Sequence, residues 1–242
     1  MVEKQTEKQQ ARKAREANLA RDWTLPFSSP TSALFGLYGT GIVGGPSGFI
    51  ENRNDGVFGI QCTGIGPNAG VQQFIINNNV VLVDGNGFAT TPPYVTSFDP
   101  FVSLIQLETR RGFSDQTSSD ILRFYFPDEW TDDHRLYNLS WTAFAQFPVP
   151  LAEYDKVYNS SIIEIRQIQD GLLVWDPRQE DQKLDDGSTW GWSENPAICV
   201  LNYLLAKHGM VLGASTLNIG SFTRVADLLD ARSWTITALF GL

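Results

Sequence analysis

The sequence predicts a mainly β fold with minor α, of the α+β class. Antiparallel sheet fills the middle, a short helical segment lies near the C-terminus, and a helical arm stands at the N-terminus. Three observations predict this. Tyr137, Leu139, Trp141, Ala143, Ala145 and Phe147 fall on one face of a segment whose other face holds Asn138, Ser140, Thr142 and Gln146, a period of two. The connections between the middle apolar stretches are too short for crossover helices, so their strands pair antiparallel. Asn195-Pro196 then opens an apolar repeat of helical spacing.

In chain order, residues 1–22 form a basic arm, 23–175 a β-rich unit, and 176–242 a loop with an α-helical segment packed on that unit. Residues 1–21 hold Lys4, Lys8, Arg12, Lys13, Arg15 and Arg21 against Glu3, Glu7 and Glu16, a balance of +3. Their helix propensity is high, but Leu19 and alanines give almost no apolar stripe. Such an arm either frays in solution or becomes ordered on a neighbouring subunit. Within the β unit, Phe58, Ile60 and Cys62 alternate with Gly59 and Gln61, and Val80–Val83 runs into Asp84-Gly85-Asn86-Gly87 as a strand entering a hairpin. Phe101–Thr109 reads as a further strand, and Ile162–Ile168 and Leu172–Trp175 as two more short ones. Beyond Asn195-Pro196, Ile198, Leu201, Leu204 and Leu205 keep helical spacing, with Lys207 and His208 in the last turn and Gly209 as the stop. A second short helix starts at Ser221 and presents Phe222, Val225 and Leu229.

The 242 residues carry 18 basic and 27 acidic groups, a formal charge of −9, which makes the surface as a whole a poor binder of nucleic acid. Outside the arm the balance is 12 basic against 24 acidic groups, or −12. No apolar run approaches the roughly 18 residues of a membrane span, and no apolar leader follows Met1, so neither a spanning nor a secreted protein is expected. The formal glycosylation sequons at Asn138 and Asn159 are then without consequence. Cys62 and Cys199 read as small buried hydrophobes, and with only His134 and His208 besides they assemble no zinc site.

Gly39-Thr40-Gly41-Ile42-Val43-Gly44 matches the dinucleotide pattern in letters. That motif needs a helix directly after it, and Gly45-Pro46-Ser47-Gly48 forbids one, so glycine-rich turns between strands are expected instead. Asp128, Glu129, Asp132, Asp133 and His134 surround Trp130, a candidate interface residue. They could hold a hard cation or an acid/base pair, but a solvated turn is the simpler reading. Asp181, Asp185 and Asp186 read as a hydrophilic loop. No nucleophile has a recognisable relay, so no enzyme, cofactor or metal centre is expected.

More informative are the aromatics beside polar loop residues. Trp175-Asp176-Pro177-Arg178 ends an apolar strand in a charged turn, where the fixed φ of Pro177 lets Asp176 and Arg178 satisfy each other or nearby backbone. Trp190, Trp192, Asn195 and Pro196 then lead into the capped helix. Indoles with a polar handle suit a loop pinned onto a domain, or an interface anchor. The rival reading is a carbohydrate platform, a groove lined by Trp190 and Trp192 with Glu194 or Asp186 facing it.

The run from Gly171 to Gln179, GLLVWDPRQ, followed by WGWSENPAICVLNYLL from Trp190 to Leu205, resembles the central tail-tip (baseplate hub) proteins of long-tailed bacteriophages, the host-specificity J-like family. There an apolar strand ends in Tyr-Asp-Pro-Arg, and W-S-x-N-P-A opens a helix ending in a DYL-like segment. Trp175 stands in the Tyr position and Asn202 in the Asp position. Tyr38, Gly39, Val43, Gly44 and Gly45 are similar to the family's opening Y-G-x-x-x-V-G-G. Residues 70–87 resemble its segment of a strand and a turn. Residues 109–141 resemble its R-x-G-x-x-x-Q and W-T-x-x-H-R-L-x-G stretch, with Asn138 where Gly is common. The resemblance runs from about Ala33 to Leu229.

It implies β-barrel-like hub domains in a homotrimer that closes the tail tube. It also implies that a distal tail protein ring, the tape-measure protein and other tail-tip or fibre proteins are partners. The place so implied is the virion tail tip, built in the bacterial cytoplasm, with a part in host attachment and DNA delivery. Family members are usually several times longer, so direct recognition of a host receptor is not carried over.

Overall fold

A computed structural model of the chain describes residues 34–96, 102–159 and 162–241. The basic arm of residues 1–22 lies outside the described residues. What is described is mainly β with minor α, and every strand pair is antiparallel.

A four-stranded sheet has the order β3 (Ser47–Arg53), β4 (Gly56–Ile65), β8 (Leu139–Gln146), β7 (Ile105–Arg111). A second sheet runs β10 (Gly191–Trp192), β9 (Ile165–Val174), β5 (Asn68–Ile76), β6 (Asn79–Val81), with β2 (Thr40–Val43) also on β9. The Asp84–Gly87 turn joins the two sheets. It returns the chain from Val83 to Ala89, and residues 87–89 then bond to β7 through Leu107 N to Gly87 O (2.8 Å) and Ala89 N to Ile105 O (2.9 Å). On the opposite side Gly44-Gly45-Pro46 carries β2 directly into β3. Among the described residues the two sheets thus wrap into a partly closed barrel in which β2 and β3 are not paired with each other.

Both faces of β8 are buried. Its inward face sets Phe144 among Phe74, Ile76, Ile105, Leu107 and Ile165, residues of both sheets. The polar residues of this face lie inside the barrel rather than in solvent, and they are satisfied there. Thr142 Oγ1 donates to Gln167 Oε1 (2.7 Å), Gln167 Nε2 to Gln169 Oε1 (2.7 Å), and Ser140 Oγ to Gly64 O (3.1 Å). The outward face, Trp141, Ala143 and Ala145, is covered by α1 (Asp120–Tyr125) and the turn after it through Ile121, Leu122, Phe126 and Trp130. Helix α1 is short, and its N-terminus is completed by a strand side chain. Glu108 accepts from Asp120 N (3.0 Å) and Ile121 N (3.1 Å), while Arg110 pairs with Glu108 at 2.7 Å. Helix α2 (Leu151–Val157) caps one end of the barrel, where Tyr158 donates to Leu104 O (2.8 Å).

A third layer is built from β1 (Phe35–Tyr38), α3 (Pro196–Leu205), α4 (Ile219–Ala231) and β11 (Ala238–Gly241). Strand β11 pairs with β1 from Phe35↔Gly241 to Tyr38↔Ala238. Tyr38, Leu172, Val174, Ala197, Ile198, Cys199 and Ala226 form its core.

Five expectations need correction. Ile162–Ile168 and Leu172–Trp175 are not two strands: β9 is continuous, because β2 and β5 pair with its polar stretch Gln167–Asp170 and supply backbone partners there. The strand expected over Phe101–Thr109 starts at Ile105, and Phe101 lies outside the described residues. Helix α3 stops at Leu205, because Ala206 turns extended (ψ 150°), which leaves Lys207 and His208 in the following turn. Helix α4 starts at Ile219, capped by Asn218, and Ala226 faces the core while Val225 is exposed. Cys199 is buried but Cys62 is only half-buried, at a register shift between β4 and β8.

The Gly39–Gly44 motif forms β1, a turn and β2, with no helix after it. Gly39 has φ +72°, and a Cβ there would stand 1.9 Å from Ile236 O. Gly171 on β9 faces the same turn, and its Cβ would stand 2.2 Å from Leu37 O. These glycines let three backbone segments touch.

Candidate functional site

The site is built where β9 ends. Asn202, on α3 and 4% exposed, accepts from Trp175 N (2.8 Å) and donates to Trp175 O (2.8 Å), extending the strand by one side-chain amide. The same amide donates to Ile198 O (2.9 Å). Asp176, also buried, accepts from Arg178 N (3.0 Å) across Pro177 and receives the Arg178 guanidinium at Nε (3.0 Å) and a terminal nitrogen (2.7 Å). From there Arg178 reaches α4, with Asp227 at 3.1 Å and Asp230 at 2.7 Å.

Asn195 completes the ring of contacts. Its Oδ1 caps α3 by accepting from Ala197 N (3.0 Å) and Ile198 N (3.4 Å). Its Nδ2 donates to Ala226 O (2.9 Å) and Asp230 Oδ1 (2.6 Å). Pro196 occupies the first turn of α3, where its missing N–H costs nothing. One carboxylate, Asp230, thus ties the Asp-Pro-Arg turn to the helix cap.

Electrostatics follow from this geometry. Asp176 first, with Asp230 and Asp227 behind it, holds Arg178 protonated far above its ordinary range despite burial. Burial pushes the Asp230 carboxyl up, but the hydrogen bonds from Arg178 and Asn195 outweigh it and leave the group below the usual carboxylate range. Burial and the nearby Glu194 push the Cys199 thiol up to about 12, so it is a neutral, unreactive thiol.

Beside this network lies a cleft of about 510 Å³ whose walls include Arg178, Gln182, Trp192, Glu194, Asp230 and Trp234. Trp192 is 38% exposed and Trp234 58%. A second hollow, about 600 Å³, lies between the Asp84–Gly87 turn and α1, beside the exposed Phe124.

The expected site residues divide. Trp175, Asp176, Arg178, Asn195 and Pro196 come together. Trp192 stands at the edge of this group with its ring open to solvent. Trp190 is held elsewhere, its Nε1 donating to Lys183 O (2.8 Å). Asp186 is also occupied, accepting from Ser188 Oγ (2.6 Å) and Ser188 N (3.1 Å) to cap a short turn, and these bonds, the hydroxyl first, lower its pKa. Of the groove expected from Trp190 and Trp192 with Glu194 or Asp186, Trp192 and Glu194 line the cleft, and Trp190 and Asp186 do not. Trp130 sits in the α1 layer, 6% exposed and stacked on His134 at 4.9 Å. The acids around it are exposed, and among the described residues no group of three or more His, Cys, Asp or Glu could hold a metal ion. The partners Asp227 and Asp230 carry a helical i, i+3 spacing as their only sequence signal, and Trp234 carries none.

No helix among the described residues is long and apolar enough to cross a membrane. No protein-family model matches the chain, and no curated protein matches it. Among solved structures the chain is similar to one described as "Virion of native gene transfer agent (GTA) particle", at 12% identity and a TM-score of 0.44. The match covers 70% of this chain and 33% of that one, so this chain spans about a third of its neighbour's length.

Proposed function

We propose that the chain is a structural component of a bacteriophage tail tip, a baseplate hub protein that closes the tail tube as a homotrimer. In this reading it adapts the tube to the distal tail ring, meets the tape-measure protein and other tail-tip or fibre proteins, and takes part in host attachment and DNA delivery. It works by shape and interface, without enzymatic chemistry.

The observation that carries the reading is the joining of the two most family-like segments. Trp175-Asp176-Pro177-Arg178 and Ser193-Glu194-Asn195-Pro196-Ala197 meet through Asn202 and Asp230, so the two segments that carry the resemblance in sequence form one physical unit. The unit braces a partly closed barrel whose strand β3 has, among the described residues, a single neighbour, β4. A free strand border with Ile50 exposed on it suits pairing with a sister copy. The overall charge of −9 suits a conduit that must release DNA.

The test is cryo-electron microscopy of intact particles carrying a density tag on this chain. Three tagged copies around the axis at the tip, against the distal ring, are expected. Tags spread along the tube or confined to the head, or particles of normal tail structure lacking the chain, would end the proposal.

A further inference from the structure

We propose that the cleft between Trp192 and Trp234 binds a neutral saccharide. This does not rest on the tail-tip reading, and either can fail alone.

Two large indoles stand open at one cleft, and neither ring nitrogen has a protein partner among the described residues. Arg232 lies over the Trp234 ring at 5.7 Å, which holds that ring while leaving it 58% exposed. An exposed indole offers a flat apolar face with a donor at its edge, the combination that stacks on a sugar ring while bonding a hydroxyl. Around the indoles are polar groups with unspent capacity. The Glu194 carboxylate, the Gln179 amide and the Thr235 hydroxyl make no hydrogen bond or ion pair among the described residues, and the Ser193 hydroxyl accepts from Asn195 N (3.1 Å) but donates to nothing. Donors and acceptors thus share with the indoles the lining of a cleft of about 510 Å³, inside the range of small-ligand pockets.

Charge selects within the saccharides. The cleft lining sets Asp176, Glu194 and Asp230 against Arg178, a balance of −2, and Arg232 on the Trp234 ring offsets one of these, which still disfavours phosphorylated, sialylated or uronic sugars. A cationic peptide would be attracted by the same field, but it needs carboxylates free to pair. Arg178 and Asn195 already engage Asp176, Asp227 and Asp230, which leaves Glu194 alone. An array of mixed donors and acceptors with one free acid favours ring hydroxyls over an ammonium or guanidinium.

The experiment titrates the full chain with chitotriose, maltotriose and cellotriose, and separately with trigalacturonate and an arginine-rich peptide, followed by tryptophan fluorescence and calorimetry. Saturable binding of at least one neutral trisaccharide is expected, with none of trigalacturonate. Trp192→Ala and Trp234→Ala should each weaken it about tenfold or more, the loss of one stacked ring. Trp234→Phe should recover part of that loss, and circular dichroism should report an unchanged fold. Glu194→Gln should retain binding within a few-fold. The proposal is overturned if all three neutral sugars fail to bind at millimolar concentration, or if both alanine variants bind as well as the parent. It is also overturned if the arginine-rich peptide binds instead and Glu194→Gln abolishes it, or if self-association buries both indoles.

Discussion

The amide of Asn202 faces two backbone groups of opposite kind, the N–H and the C=O of Trp175, and a third, the C=O of Ile198. An aspartate could accept from the first but would set a carboxylate against both carbonyls. Asn202→Asp is therefore expected to destabilise the fold by about 1–3 kcal/mol, read as a lowered denaturant midpoint at constant slope. Arg178→Ala leaves Asp176 buried without its cation and should cost about 3–5 kcal/mol. Arg178→Lys, which keeps the charge but loses the fork, should fall between it and the parent. The local parts of this network were legible in sequence: a Pro-flanked Asp and Arg two positions apart, and an Asn before a Pro. Asp230 and the partner of Asn202 were not, because their bonds span 27 to 52 positions and depend on where α3 and α4 are laid down.

Helices and strands were legible where periodicity is local, and blurred where a neighbour decides. Gln167–Asp170 looks like a break in a strand until β2 and β5 supply partners on both sides. Gly171→Ala would push a methyl into Leu37 O, and a loss of about 1–3 kcal/mol is expected from this forced shift of β1. The early end of α3 places His208 against Tyr38, with its Nε2 3.2 Å from the phenol oxygen, and stacks it on Phe240 at 5.1 Å. Burial lowers the His208 pKa below its ordinary 6.5, so the folded chain keeps it neutral while the unfolded chain protonates it. Its contribution to stability is complete above the ordinary value and is lost as pH falls toward the folded one. Asp230, also lowered, acts in a separate window, below the usual carboxylate value of 3.8. The thermal midpoint should therefore fall between pH 7 and 5, and His208→Phe, which keeps the stack, should flatten that slope. An unchanged slope in the variant would remove His208 from the account.

At the scale of the molecule, β8 is the strand on which two layers depend. Its apolar face was legible as a period of two. The burial of its polar face was not, since the alternation is the same whether Thr142 meets water or Gln167. Trp130→Ala should open the α1 layer at a cost of about 3–5 kcal/mol, and hydrogen exchange should localise the loss to α1 and β8. The third layer adds something no local pattern foretold. Because Phe35 is register partner to Gly241, the first and last strands of the described residues set positions 35 and 241 side by side. Groups attached at Phe35 and at Gly241 are therefore neighbours in the folded state. A donor and an acceptor dye joined at those two points should transfer energy efficiently in the native state and lose that transfer on unfolding.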